Sequence, residues 1–154
     1  MMDDDLTALQ AEEAQLEWDR FGVDDAWELG NAVRAIAHER GHSVTIDIRR
    51  VNGMILFRTA LAGVTVDQDD WVRRKSAVVF RFDTSSALFA ARMAAAGFDP
   101  TQVGWLPAAD YAVTGGSVPI RVRGAGVVAA LTISGLSSEE DHALAVEAIR
   151  AAIG

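Results

Sequence analysis

Apolar and polar residues alternate in two stretches of the chain and recur at helical spacing in several others. The first alternating stretch, SVTIDIRRVNGMILFRTAL, carries Asn52-Gly53 at its middle. That dipeptide between alternating segments predicts a hairpin with a two-residue type I′ turn. The predicted register sets Val51 opposite Met54, Arg49 opposite Leu56, Asp47 opposite Arg58 and Val44 opposite Leu61. One face would carry Val44, Ile46, Ile48, Ile55, Phe57 and Leu61. Asp47, Arg49, Leu56 and Arg58 would line the other. The second stretch, VPIRVRGAGVVAALTIS, predicts a hairpin with a type II′ turn at Gly124-Ala125. Arg121 would then face Val128 and Ile120 face Ala129. Val118, Ile120, Val122, Val127, Ala129, Leu131 and Ile133 would share the apolar face.

Helical spacing marks the rest. Asp3 to Glu17 reads as a short helix. From Asp25 to Arg40, residues Ala26, Leu29, Gly30, Val33, Ile36 and Ala37 fall on one face. Asp24 or Asp25 is its expected N-cap, and Gly41 its stop. A third helix runs from an Asp67 or Asp69 cap to about Arg81, and a fourth from Ser85 to Ala96 before Gly97. Ser137 with Glu140 forms an S-x-x-E capping box for a last helix reaching about Ile153. The connection from Phe98 to Thr114 holds Val103, Trp105, Leu106 and Tyr111, which suits a packed segment.

With 154 residues, half of them hydrophobic, the chain reads as one domain, 1–154, able to bury a sizeable core. A net charge of −8 argues against nucleic acid as a partner, because phosphate binding needs a dense basic surface. The absence of cysteine excludes disulfides, thiolate metal sites and cysteine nucleophiles. The N-terminal stretch is acidic without an apolar core, and no run is long enough to span a bilayer. A cytoplasmic protein without membrane insertion is the expectation.

Two motifs are decoys. HERGH, His38 to His42, matches a zinc-protease pattern that needs one helix to carry both histidines. Gly41 should stop the helix between them. Gly124-x-Gly126-x-x-Ala129 matches a dinucleotide fingerprint, but that motif must open a helix, and strand residues follow here.

Several residues are candidates for binding. Lys75 falls on the helical stripe with Trp71, Val78 and Phe82; it is either an anchor for a carboxylate or phosphate, or a lysine whose stem covers the core edge. Arg49, Arg58, Arg121 and Arg123 come from the two hairpins. They could gather to hold carboxylates, or form ion pairs, with Asp47 as one partner. Gly115 and Gly116 either present amides to an anion or permit a tight turn. His142 heads a stripe with Val146, Ile149 and Ile153. The helix N-terminus would keep its ring neutral, as either a metal ligand or an interior histidine. No serine, histidine and acid form a recognisable nucleophile pattern, which leaves turnover open.

The C-terminal third, GGSVPIRVRGAGVVAALTISGLSSEEDHALAVEAI, resembles the haem-degrading-domain superfamily of HbpS-like and GlcG-like proteins. Gly115, Gly116, Pro119, Ile120, Gly126, Ile133, Ser134, Gly135 and Asp141 carry the resemblance. DDAWELG, DIRR and WVRRK extend it to an uncharacterised branch of that superfamily. The resemblance implies an α/β (α+β), profilin-like domain, with an antiparallel sheet of about five strands between helical layers, in a homo-oligomer. Other branches of the superfamily carry a haem-binding or haem-degrading label, which implies haem as a candidate cofactor; His142, on its apolar stripe, is then the candidate iron ligand, with Arg49, Arg121 and Lys75 as candidate propionate anchors. Some haem-binding relatives use a histidine near the N-terminal helix, and this chain has none before His38. A eukaryotic member of the branch looks like a partner of the protein-targeting machinery, which implies a non-enzymatic adaptor or chaperone-like role instead. A binder of a small carboxylate metabolite is the remaining alternative.

Overall fold

The computed structural model describes residues 2–154. Two hairpins, β2 (Thr45–Arg50) with β3 (Ile55–Ala60) and β4 (Ser117–Val122) with β5 (Gly126–Ser134), meet through β2 and β5. A short strand β1 (Glu17–Trp18) adds parallel to β4, giving the order β1-β4-β5-β2-β3. Helices α2 (Val23–Glu39) and α5 (Ser138–Ile153) cover one face; α3 (Asp67–Phe82) covers the other, with α4 (Ser86–Ala96) packed on α3 and α1 (Met2–Ala14) on α4. This is the expected mixed α/β sandwich around five strands. The one parallel strand departs from the reading of Asp3 to Glu17 as helix throughout. No helix among the described residues is long and apolar enough to cross a membrane.

The sheet's two faces differ sharply. Toward α2 and α5, Val44, Ile46, Ile48, Val118, Ile120, Leu131 and Ile133 are all fully buried with Leu29, Val33 and Ile149. Toward α3, the register aligns Ser117, Thr132 and Asp47 in one row. All three are completely buried. Ser117 and Thr132 hydroxyls meet at 2.8 Å. Asp47 receives Arg49 at 2.7 and 2.9 Å and Arg58 at 3.1 Å, so its burial is compensated by charge-assisted bonds. Arg58 also pairs with Asp69 at the start of α3.

Asp47 does face Arg58, Val44 lies opposite Leu61, and Ile120 lies opposite Ala129. The turns differ from expectation. Arg50 N–H donates to Met54 O and Gly53 N–H to Arg50 O, so the first loop holds three residues with Gly53 at φ +92°. Asn52 has no positive φ, which a type I′ turn requires. A bulge then sets Arg49 opposite Ile55 instead of Leu56. The second loop repeats this: Ala125 N–H donates to Val122 O, Gly124 takes φ +79° as the third turn residue, and a bulge sets Arg121 opposite Val127. Each bulge swaps one side chain between faces. Leu56 and Val128 pack on the core, while Ile55 is 47% exposed.

Helix ends follow local chemistry. After α2, Gly41 (φ +70°) donates to His38 O and His42 to Ala37 O, a Schellman stop that places the two histidines of HERGH on either side of the helix end. The N-cap of α2 is Gly22 rather than an aspartate; the Asp25 carboxylate instead accepts the Gly22 N–H at 2.7 Å. Val66, not Asp67 or Asp69, caps α3. Ser137 caps α5 as expected, and Ser85, read as the first residue of its helix, is instead the N-cap of α4. Residues 98–114 pack through Leu106 and through Trp105, which stacks edge-on against Phe82.

Gly30 marks the tightest helix–sheet approach. A Cβ there would lie 2.3 Å from the Phe57 ring. Gly30→Ala is therefore expected to destabilise by about 1–3 kcal/mol through overpacking, read as a lower denaturation midpoint.

Candidate functional site

The first turn of α5 brings an acid back under the sheet. Ser137 Oγ accepts the Glu140 N–H at 3.2 Å, and Glu140 reaches back to the Ser137 N–H at 3.4 Å. This box fixes the helix start and turns Asp141 inward, where only 1% of it is exposed. Its Oδ1 accepts the Leu136 N–H at 3.0 Å. Its Oδ2 accepts Lys75 Nζ at 3.0 Å, and the same ammonium donates to Ile133 O at 3.2 Å. Lys75 is 3% exposed. Burial pushes the Lys75 ammonium below its usual pKa and the Asp141 carboxyl above its own, each partly offset by the other's charge.

The glycine pair makes room for this contact. Gly116 has φ +138°, and a Cβ on it would lie 2.7 Å from Lys75 Nζ and 2.5 Å from Ile133 O. A Cβ on Gly115 would lie 2.6 Å from Ser138 O. Beside the ion pair opens a cavity of about 230 Å³, walled by Gln68, Trp71, Thr114, Ser134 and Ser138.

His142, the next residue on α5, looks into a second space. Its Nε2 meets Glu12 Oε1 of α1 at 2.6 Å, while Nδ1 is buried with no partner among the described residues. The groove between α1, α4 and α5 measures about 450 Å³ and is lined largely by Leu9, Ala87, Ala90, Ala91 and Val113. Thr114 and Ser138 line both cavities, which adjoin there.

Lys75, Gly115, Gly116 and His142 are thus brought together at one end of the sheet. The arginines are not. Arg49 stays with Asp47; Arg121 donates to Glu13 at 3.4 Å and to Asp83 O at 2.9 Å; Arg123 pairs with Glu17. Sequence reasoning missed Asp141 as the partner of Lys75 and Glu12 as the partner of His142. The first had a signal, an acid opening the inward face of a capped helix opposite a lysine on an apolar stripe. The second pairs residues 130 positions apart and had none.

Residues 21–150 match the family described as "Haem degrading protein HbpS-like". The chain belongs to the HbpS-like family. It is 45% identical over 150 residues to a UPF0303 protein of Burkholderia cenocepacia, covering 97% of this chain and 90% of that one. Among solved structures, it resembles the Ybr137w protein with a TM-score of 0.89 at 34% identity, over 97% of this chain and 88% of that one. A structure titled PduOC:heme complex matches with a TM-score of 0.70 at 19% identity, over 87% of this chain and 95% of that one, a likeness of fold. This HbpS-like chain sets its buried Lys75–Asp141 pair at the end of its sheet.

Removing one member of that pair leaves a buried charge uncompensated. Lys75→Met is expected to lose about 3–5 kcal/mol, and the double variant Lys75→Met/Asp141→Leu to recover only part of it, because the Leu136 N–H and the Ile133 carbonyl stay unsatisfied. Denaturant unfolding of both variants measures the difference; a double variant as unstable as the single one would contradict it.

Proposed function

We propose that this HbpS-like protein binds haem or a related tetrapyrrole in the groove between α1, α4 and α5, with His142 as the iron ligand. One observation carries the reading: the buried Nδ1 of His142 has no partner among the described residues, while Nε2 meets the Glu12 carboxylate. A ring that gives its Nε2 proton to a carboxylate leaves Nδ1 as a free lone pair, the arrangement that metal-bound histidines commonly use. The alanine-rich groove suits a flat apolar ligand. The donor set therefore fits the group that the family name implies. Bound there, haem would supply a redox-active iron. The chain's own part is to hold the imidazole tautomer through Glu12 and to exclude water with Leu9 and Val113.

Propionate anchoring would fall to Lys75 at the adjoining cavity rather than to Arg49 or Arg121. Arg49 is committed to Asp47, and Arg121 lies beyond α1. Haem added to the purified protein is expected to give a shifted Soret band that His142→Ala abolishes. Glu12→Gln should weaken binding by about ten- to a hundredfold. A Soret shift indifferent to His142→Ala would sink the assignment.

A second reading, an oligomeric interaction protein, is favoured by a different observation. β3 is an open sheet edge flanked by exposed Trp27 (62%), Met54 (53%) and Ile55 (47%). An unpaired edge beside large apolar side chains favours pairing with a second copy. Light scattering is expected to find a homo-oligomer that Trp27→Glu with Ile55→Lys dissociates; a stable 16.5 kDa species for the parent chain would refute it.

A further inference from the structure

We propose that the cavity beside Lys75 and Asp141 binds a small free monocarboxylate when no haem propionate occupies it, and this site does not rest on haem binding in the groove next to His142. The argument begins with a proton count. A lysine ammonium has three N–H donors. Two are used, by Asp141 Oδ2 and Ile133 O, and no third acceptor lies within hydrogen-bond distance among the described residues. A buried donor left unmade is costly, and Lys75 lines a cavity.

The walls repeat the same bias. Gln68 spends its carbonyl on the Ser134 hydroxyl at 2.7 Å, which leaves its amide N–H groups to donate. Thr114 and Ser138 also line this space, and their hydroxyls have no hydrogen-bond partner among the described residues. Both Asp141 oxygens are already engaged, by Lys75 and by the Leu136 N–H. The cavity therefore offers donors and has little acceptor capacity left, which selects a ligand rich in acceptors.

Charge and size narrow the class. Asp141 already balances the Lys75 ammonium, so the site has donors to offer but no net positive charge, and a dianion such as phosphate is poorly matched. About 230 Å³ is the room of roughly seven or eight waters. That admits an acid of a few carbons lying along the Trp71 indole, with its carboxylate toward Lys75. Gly116 belongs to the same device, since any Cβ there would collide with Nζ.

The test is an NMR titration of the full chain with acetate, propionate and butyrate, following the Trp71 indole and Gln68 side-chain amide signals. Saturable shifts of both are expected, with phosphate much weaker. Gln68→Leu, at the cavity rim, should bind about tenfold more weakly, the loss of one hydrogen bond to a charged group. Lys75→Met/Asp141→Leu should lose the shifts while its dispersed spectrum reports a folded chain. Absence of saturable shifts in the parent protein would overturn the proposal. So would shifts that persist in the double variant, or phosphate binding as tightly as the monocarboxylates. A fold loss in the double variant leaves Gln68→Leu to decide: unchanged affinity there would also overturn it.

Discussion

The Lys75–Asp141 ion pair is the constraint around which the two helical layers are arranged. α3 lies on one face of the sheet and α5 on the other, and the pair joins them around the end of β5. An apolar pair could fill that space, and buried ion pairs commonly contribute little net stability. What an apolar pair could not do is satisfy the Leu136 N–H and the Ile133 carbonyl at the same time. Those are orphan groups of a strand end and a turn, and each would otherwise be buried without a partner. The pair thus fixes where β5 stops, how tightly the chain turns at Gly135, and where α5 begins.

This constraint fits the unequal faces of the sheet. On the α2/α5 side the contacts are apolar and non-directional, and close packing alone decides the fit. On the α3 side, Ser117, Thr132, Asp47 and Lys75 must each find a particular partner. Directional bonds allow few alternative placements of α3. Even Arg58 contributes, since it holds Asp47 from the sheet and Asp69 from α3 together. A small cavity bordered by such groups keeps its shape because the groups that form it are already bonded.

How much of this was legible in the sequence depends on the range of the interaction. Alternation and capping are local, and they placed both hairpins, the Ser137 cap and the Gly41 stop. Turn type was less legible: Asn52-Gly53 and Gly124-Ala125 sit in three-residue loops, and a bulge on the returning strand restores the register that a shorter loop would have given. That compensation is why Asp47 still faces Arg58 although the neighbouring pair shifted. The cost was one side chain per hairpin, with Leu56 and Val128 inside in place of Ile55 and Val127. The candidate binding residues were legible one at a time. Lys75 and His142 stood out on apolar stripes, but which acid each would meet depends on packing between elements far apart in the chain. The arginines illustrate the converse. Their shared face was readable, yet each found a nearer carboxylate, as exposed guanidinium groups in an acidic chain readily do.

The attachment of α1 is the last consequence of that acidic composition. No described residue of α1 is fully buried, so its packing contributes little apolar area. Two adjacent carboxylates hold it instead. Glu12 meets His142, and Glu13 accepts from the Thr84 hydroxyl and the Ser85 N–H at 3.0 and 2.7 Å. Glu13 thereby satisfies a free N–H at the start of α4, where a negative charge is favoured. A helix held by polar contacts rather than by core burial belongs to the low-stability end of a structure. It can loosen without exposing the main core. That places the roof of the His142 groove on a helix held by polar contacts, and the groove's floor, α5, on a helix packed into the main core. Displacing α1 would also part Glu12 from His142, so whatever opens the groove frees the imidazole as well.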